Sequence, residues 1–90
     1  MATKSIWKFP LEITDHQTIE VPLGSAPLTV QLQYGQPAAW LVVDPSRESV
    51  KFDIECYGTG NPFHGAVEDY LGTVHMSGVW HFFGHFSRET

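Results

Sequence analysis

The stretch LTVQLQY at Leu28–Tyr34 alternates apolar and polar residues, which is the spacing of a β-strand with one buried and one solvated face. After a predicted turn at 35–37, AAWLVV at Ala38–Val43 is apolar on both faces and predicts a central strand. No stretch shows the 3.6-residue period of a helix convincingly. The two segments therefore predict an antiparallel, all-β domain. The residues expected to face its core in the first strand are Leu28, Val30, Leu32 and Tyr34.

Further strands are predicted on both sides of these segments, at Ser5–Leu11, Thr18–Val21 and Val50–Tyr57. Clusters of Gly, Pro, Asn and Asp separate them, and Pro10 and Pro22 mark strand ends. About six or seven short strands predict a small antiparallel sandwich or a partly open barrel. The chain is expected to form a single β domain over residues 1–90, with flexible ends at 1–4 and 87–90.

A terminal hairpin is predicted over Tyr70–Phe86, and the apolar pattern selects its register. A two-residue turn at Ser77-Gly78 would mix apolar and polar residues on each face. A three-residue loop at 76–78 separates them, and a slip of one residue would move every side chain to the other face. We therefore predict the three-residue loop. It places Val74, Trp80, Phe82 and Phe86 on one face and Thr73, His75, His81 and His85 on the other.

The composition restricts the classes of function. Ten acidic residues against five basic ones give a net charge of −5, which disfavours binding to duplex nucleic acid. The charge is compatible with solubility alone or with binding to a basic protein surface. Cys56 is the one cysteine and is expected to be a small buried hydrophobe. Neither a signal peptide nor a membrane span is expected, and this favours a cytoplasmic location.

Several motifs along the chain resemble those of a known family. They include IWKFPL at 6–11, TD at 14–15, VDP at 43–45, YGTGNP at 57–62, YLGT at 70–73 and HFF at 81–83. The chain resembles a small family of unknown function encoded by tailed bacteriophages and by prophage-bearing bacteria. It departs from that family at Asn61, where a histidine is expected, and in continuing from Gly84 to Thr90. The resemblance implies a phage or prophage accessory protein, in the host cytoplasm, without an assigned activity.

The loop after the Val50–Tyr57 strand is the segment most typical of a ligand site. Its glycines permit positive φ angles and close approach to a ligand, and successive N–H groups could bind a phosphate. An aromatic side chain there could stack on a base. No Walker lysine is present, so a wide turn shaped by glycine is the alternative. The candidate ligand-binding residues are Tyr57, Gly58, Thr59, Gly60, Asn61, Phe63 and His64.

Catalytic and metal-binding motifs have little support. His75 and His81 are weak candidates for metal ligands, because the predicted hairpin brings them close on its polar face. No HxH, HExxH or CxxC pattern accompanies them, and no serine lies in a nucleophile motif. Asp53 and Glu55 share one strand face, which is more typical of a solvated surface than of a glycosidase pair. We therefore expect neither an enzyme nor a cofactor.

The aromatic residues predict either a core or a contact surface. Trp7, Trp40 and Trp80 are expected in the core, whereas exposed Trp7, Trp40 and Tyr34 would mark a protein-binding site. A sheet edge is expected within Ser5–Val21, and a homodimer would cover it. The preferred function is binding of a host-encoded protein, such as a defence component that the chain would inhibit. The alternatives are a nucleotide-binding, sponge-like protein that uses the Gly58–Gly65 loop, and a structural virion component.

Overall fold

Seven antiparallel strands form almost all the regular structure of the chain in a computed structural model that describes residues 3–87. One turn of 3-10 helix, Val67–Asp69, precedes the sixth strand. The strands are β1 (Ser5–Pro10), β2 (His16–Pro22), β3 (Ala26–Gln33), β4 (Gln36–Val43), β5 (Ser49–Gly58), β6 (Tyr70–His75) and β7 (Val79–Phe86).

The strands belong to two sheets, and this confirms the predicted all-β class. A three-stranded sheet has the order β1-β4-β3, and a four-stranded sheet has the order β2-β5-β7-β6. Every pair of hydrogen-bonded neighbours is antiparallel. The sheets do not close into a barrel, so the sandwich-like form of the prediction is the one observed. β4 is the central strand of its sheet, as its apolar sequence predicts.

The core lies between the inner faces of the two sheets. Alternate residues of β4 and β5 point into it, because successive side chains of a strand point to opposite faces. Phe82 of β7 is fully buried among them. The buried cluster comprises Leu11, Val21, Val30, Ala39, Leu41, Val43, Phe52, Ile54, Cys56, Val74 and Phe82.

β3 and β6, the edge strands on one side of the two sheets, lie unusually close to each other. A Cβ atom on Gly72 would stand 2.8 Å from the backbone N and O atoms of Val30. Only a residue without a side chain permits that approach. Gly72 therefore lets each of these strands cover part of the other.

The register of the β6–β7 hairpin confirms the predicted three-residue loop. Val74 is opposite Trp80 and Thr73 is opposite His81, with residues 76–78 between the strands. The sequence favours Gly78 for the left-handed position of this loop, but Ser77 takes that position with a φ of 50°, and Gly78 has a φ of 147°. His75 is opposite Val79, so His75 and His81 share the outer face without forming a direct cross-strand pair.

The turn between β3 and β4 is shorter than predicted. Tyr34 and Gly35 both have positive φ angles, 54° and 76°, as a two-residue type I′ turn requires. β4 therefore begins at Gln36, and Pro37 lies within it. Pro37 is accommodated because β1 has already ended where Pro10 meets Ala38.

The apolar alternation of β3 corresponds to burial at one position only. Val30 is buried, but Leu28 is 53% exposed and Leu32 is 39% exposed. β3 is an edge strand with an irregularity in its pairing between Pro27 and Thr29, so the opposite sheet does not cover its whole length. Tyr34, at the tip of the turn, is 98% exposed. The expectation that all of these residues face the core is wrong.

The tryptophans are also less buried than predicted. Trp7 is 40% exposed at the edge of its sheet. Trp40 is half-buried and alternates with the buried Ala39 and Leu41, so it lies on the outer face of the three-stranded sheet. Trp80 is partly buried and packs against the core. β4 is apolar on both faces, but only its inner face is buried in the core. No further layer of described residues covers its outer face.

Of the ends expected to be flexible, residues 1–2 and 88–90 lie outside the described residues. Thr3 and Lys4 are exposed and precede β1. The part of the chain from 3 to 87 includes no helix of sufficient length and apolar character to span a membrane.

Cys56 is buried, as predicted, and we expect its thiol to resist alkylation by iodoacetamide at pH 8 until the protein unfolds. Burial, followed in importance by the charge of Asp15, raises the pKa of the thiol from 9.0 to about 11. Because the thiolate is the reacting form, the native thiol should be inert. The mass of the protein after treatment, with and without guanidinium chloride, measures this protection.

The raised pKa also predicts a loss of stability at high pH. The stabilising effect of the neutral thiol is complete below pH 9 and is lost as the pH rises towards 11, because the unfolded thiol ionises first. Urea denaturation at pH 9 and at pH 11 should show a larger decrease in the free energy of unfolding for the wild type than for Cys56→Ala. Equal alkylation rates in native and unfolded protein would contradict both expectations.

The outer face of the four-stranded sheet

Polar and aromatic side chains occupy the solvent-facing side of β5 and β7. Across these two strands, Tyr57 is opposite His81 and Glu55 is opposite Phe83. Cys56 lies between Glu55 and Tyr57 on β5, and Phe82 lies between His81 and Phe83 on β7. Both are buried. Side chains alternate along a strand, so Tyr57, His81, Glu55 and Phe83 point away from the core.

Four aromatic rings form an aromatic patch on this outer face: Tyr57, Phe63, Tyr70 and Phe83. Phe83 is at its centre, with ring centroids 5.7 Å from Tyr57, 4.8 Å from Phe63 and 5.5 Å from Tyr70. The Tyr57 and Phe63 centroids are 4.9 Å apart. The rings meet edge-on or tilted, the arrangements that aromatic quadrupoles favour. The patch is thus a packed aromatic cluster outside the core.

Hydrogen bonds hold the loop that carries Phe63 against the sheet. The Tyr57 hydroxyl donates a hydrogen bond to Glu55 Oε1 over 3.0 Å, and the Thr59 N–H at the start of the loop donates to the Val79 carbonyl. Partial burial, and then the hydrogen bond and charge of Glu55, raise the pKa of Tyr57, while the His64 amide opposes the rise. The bond to Glu55 orients the Tyr57 ring, and the contact of that ring with Phe63 positions the Phe63 side chain.

A chain of side-chain hydrogen bonds runs beside the patch. Thr59 Oγ1 lies 2.6 Å from His81 Nε2, and His81 Nδ1 lies 2.9 Å from Thr73 Oγ1. Thr73 is in turn hydrogen-bonded to the hydroxyl of Tyr70. Both ring nitrogens of His81 are therefore in use as hydrogen-bond partners of threonine hydroxyls. The chain joins the loop, β7 and β6, and it fixes the orientation of the Tyr70 ring.

Carboxylates dominate the charge around the patch. Asp53 shares its outer strand face with Glu55 and accepts a hydrogen bond from Thr18 Oγ1 at 3.0 Å. Glu68 and Asp69 line a groove together with Tyr70 and Phe86. The charged residues of the face and this groove are Glu20, Lys51, Asp53, Glu55, Glu68 and Asp69, of which only Lys51 is positive at neutral pH. The patch is therefore set in a negative surface.

The structure brings together four of the seven residues that the sequence proposes as a ligand site. Tyr57, Phe63 and His64 join the aromatic patch or its support, and Thr59 begins the hydrogen-bonded chain. Gly58, Gly60 and Asn61 form the turn beside them, in which Gly60 has a φ of 95°.

Backbone hydrogen bonds use part of the proposed phosphate nest. The Thr59 N–H donates to the Val79 carbonyl and the Asn61 N–H donates to the Gly58 carbonyl, each over 3.1 Å. Neither amide is available to bind an anion. Binding of a ligand by this loop stays a prediction, with fewer donors than the sequence indicates.

The weak histidine candidates for a metal site are not grouped with further ligands. His81 uses both ring nitrogens in hydrogen bonds to threonines. Within residues 3–87, no group of three or more His, Cys, Asp or Glu side chains is arranged to hold a metal ion.

The candidates for partner contact, Trp7, Tyr34 and Trp40, lie on the three-stranded sheet and its hairpin, away from the aromatic patch. Sequence reasoning missed two members of the patch, Phe83 and Tyr70. The predicted hairpin register contained a signal for Phe83, because the register places His81 and His85 on the outer face and Phe83 lies between them with the same parity. The sequence contained no such local signal for Tyr70. The pairing shifts between Tyr70 and Gly72, so the alternation of the hairpin does not extend to Tyr70.

Comparison with known proteins bears on the family of the chain. No curated protein and no solved structure matches the chain. The profile of a family described as a domain of unknown function, DUF7352, matches residues 2–90. That range covers nearly the whole sequence and includes every strand. The chain therefore belongs to the DUF7352 family of domains of unknown function.

Proposed function

We propose that this chain is a non-catalytic domain that binds a protein partner through its aromatic patch. The observation that carries the proposal is that four aromatic rings are gathered outside the core, where Phe63 is 41% exposed and Tyr70 is 51% exposed. Burying aromatic surface is a main source of affinity at protein interfaces, and Tyr is enriched among the residues that contribute most.

The rigidity of the patch favours binding over a purely structural role. Phe83 comes from a central strand, and hydrogen bonds orient both tyrosines. Side chains that are already ordered lose little conformational entropy when a partner binds. A surface of this kind is suited to a preformed, specific contact.

The charge around the patch indicates the chemistry of the partner. Glu55 is beside Tyr57, and Glu68 and Asp69 precede Tyr70. A basic partner surface would be attracted to these carboxylates, and an arginine or lysine could lie over an aromatic ring. We therefore propose a partner with basic side chains around an apolar centre.

The proposed setting is that of a phage or prophage accessory protein, and the partner is a host protein such as a defence component. This setting is supported by the resemblance of the sequence motifs. Nucleotide binding at the Gly58–Gly65 loop has weaker support, because the amides of Thr59 and Asn61 are already hydrogen-bonded. A role as a virion component has no specific structural support.

We expect Tyr70→Ala to weaken binding to the partner by about 30-fold, the effect of losing a 2 kcal/mol interface anchor. The measurement is affinity capture from bacterial host lysate, identification of the partner by mass spectrometry, and titration of purified partner by calorimetry. Tyr34→Ala is the matched control, because Tyr34 is 98% exposed on the other sheet's hairpin.

Two outcomes would contradict this proposal. If Tyr34→Ala lost binding while Tyr70→Ala bound as tightly as the wild type, the contact would lie on the three-stranded sheet. A wild-type protein that retains no specific partner in lysates of several hosts would remove the protein-binding function. Saturable binding of a nucleotide that Thr59→Ala or Gly60→Val abolishes would favour the loop as a ligand site.

A further inference from the structure

β1 is an exposed sheet edge with little protection against pairing with another strand. It is the terminal strand of its sheet, and its first four residues are exposed. Ile6 on its outer side is 59% exposed and Trp7 on its inner side is 40% exposed. Lys8 is its one charged residue. An apolar edge strand with free backbone N–H and C=O groups is a template for a further strand.

The other three edges of the two sheets are better protected. β3 and β6 approach each other where Gly72 meets the Val30 backbone. β2 carries Glu20 and His16, and the Gln17 amide exchanges hydrogen bonds with the backbone of Glu12 beside it. Charged side chains and covering segments are the usual means of blocking edge pairing. Among the described strands, this leaves β1 as the edge available for pairing.

We propose that a second copy of this chain occupies this edge, with the two β1 strands paired antiparallel about a two-fold axis. Such an axis stands perpendicular to the joined sheet, because it must exchange two neighbouring antiparallel strands. It therefore keeps the inner faces of both copies on the same side. Only registers that pair residues of the same face are then possible, and these are centred on single residues.

Charge and proline select one register among those centred on Ile6, Trp7 and Lys8. Centring on Lys8 places the two lysines directly opposite each other and brings both Pro10 residues into the pairing. Centring on Ile6 places Lys4 of each copy opposite Lys8 of the other. Like charges directly opposite destabilise a sheet, and proline cannot donate to its ladder.

Centring on Trp7 avoids both penalties. Residues 5–9 of each copy pair without proline, and Ile6 is opposite Lys8 of the second copy. The two Trp7 side chains meet on the inner side and cover each other's exposed surface. The outer faces form one continuous surface that includes Trp40 of both copies. We therefore assign Trp7 to the dimer axis.

Single-cysteine variants test both the dimer and its register. Trp7→Cys should form a disulfide-linked dimer under mild oxidation, because directly opposite Cα atoms lie about 4.5–5.5 Å apart in an antiparallel pair, within disulfide range. Ile6→Cys and Lys8→Cys should stay unlinked, since each places its thiol two residues from the equivalent thiol. The wild type is the background control, because its Cys56 is buried. Non-reducing gel electrophoresis measures the linked fraction.

Native mass spectrometry tests the association without a crosslink. The wild type should be a dimer at micromolar concentration, and Trp7→Lys should be a monomer with an unchanged circular dichroism spectrum. Met76→Lys, which replaces another 40% exposed apolar residue, should stay dimeric. Linkage of Lys8→Cys or Ile6→Cys in place of Trp7→Cys would overturn the register. A monomeric wild type would overturn the dimer and leave the edge to a strand of a different protein.

Discussion

Replacing Phe82 with alanine is expected to lower the free energy of unfolding by about 4 kcal/mol, because the change removes a large side chain from a closely packed core. Phe82 is fully buried and belongs to the central cluster. A loss of this size in a domain of this length corresponds to a decrease in Tm of about 16–32 °C. Thermal unfolding followed by circular dichroism measures it.

Phe83→Ala is the matched control, since it removes the same side chain from the adjacent residue on the opposite face. Its ring contacts Tyr57, Phe63 and Tyr70 but not the core. We expect a loss of about 2 kcal/mol, near the lower end of what three aromatic contacts contribute, together with a loss of partner binding. Similar stability losses in the two variants would contradict the assignment of the two residues to opposite faces.

Gly72→Ala is expected to lower the free energy of unfolding by about 3 kcal/mol, at the upper end of the usual cost of overpacking. The added Cβ would stand 2.8 Å from the backbone N and O of Val30, and neither atom belongs to a side chain that could rotate away. β3 and β6 would therefore have to separate. Urea denaturation measures the loss, and the separation should raise amide hydrogen exchange in both strands.

Gly35→Ala distinguishes this steric effect from the general cost of replacing glycine. A Cβ on Gly35 meets nothing within 4 Å, although the φ of 76° disfavours alanine. The expected loss is about 1 kcal/mol from backbone strain alone. A Gly72→Ala variant as stable as Gly35→Ala would show that β3 and β6 separate without cost.

Local pattern in the sequence was sufficient for the strands and for one register. The both-sided apolar run at Ala38–Val43 predicted the central strand β4, and the polar–apolar alternation of β5 predicted its half-buried face. The pairing of Val74 with Trp80 followed from the requirement that one hairpin face be apolar. These features depend on residues that are near each other in the chain, so periodicity is informative about them.

Other features depend on contacts that periodicity does not contain. The Tyr34–Gly35 turn requires a tyrosine in a left-handed conformation, for which a sequence rule would choose asparagine or glycine. The exposure of Leu28 and Leu32 follows from the position of β3 at a sheet edge. Strand order decides that position, and strand order is set by long-range pairing.

The candidate site shows the same division. The sequence identified Tyr57, Phe63 and the turn between them, because a glycine-rich loop is a local signal. The sequence did not associate Phe83 or Tyr70 with that loop. It also did not indicate that Glu55 accepts a hydrogen bond from the Tyr57 hydroxyl. Those contacts arise where β6 and β7 pair beside β5, and this pairing joins segments distant in the chain.

The amino-acid sequence by itself determined that the protein is an all-β domain with a net negative charge, about six or seven short strands and one buried cysteine. These properties follow from composition and from the two-residue period of side chains along a strand. Only the tertiary structure decided which apolar residues are covered. Two sheets can bury one face each, so the packing of the sheets covered Val30 and left Leu28, Tyr70 and Trp40 at the surface.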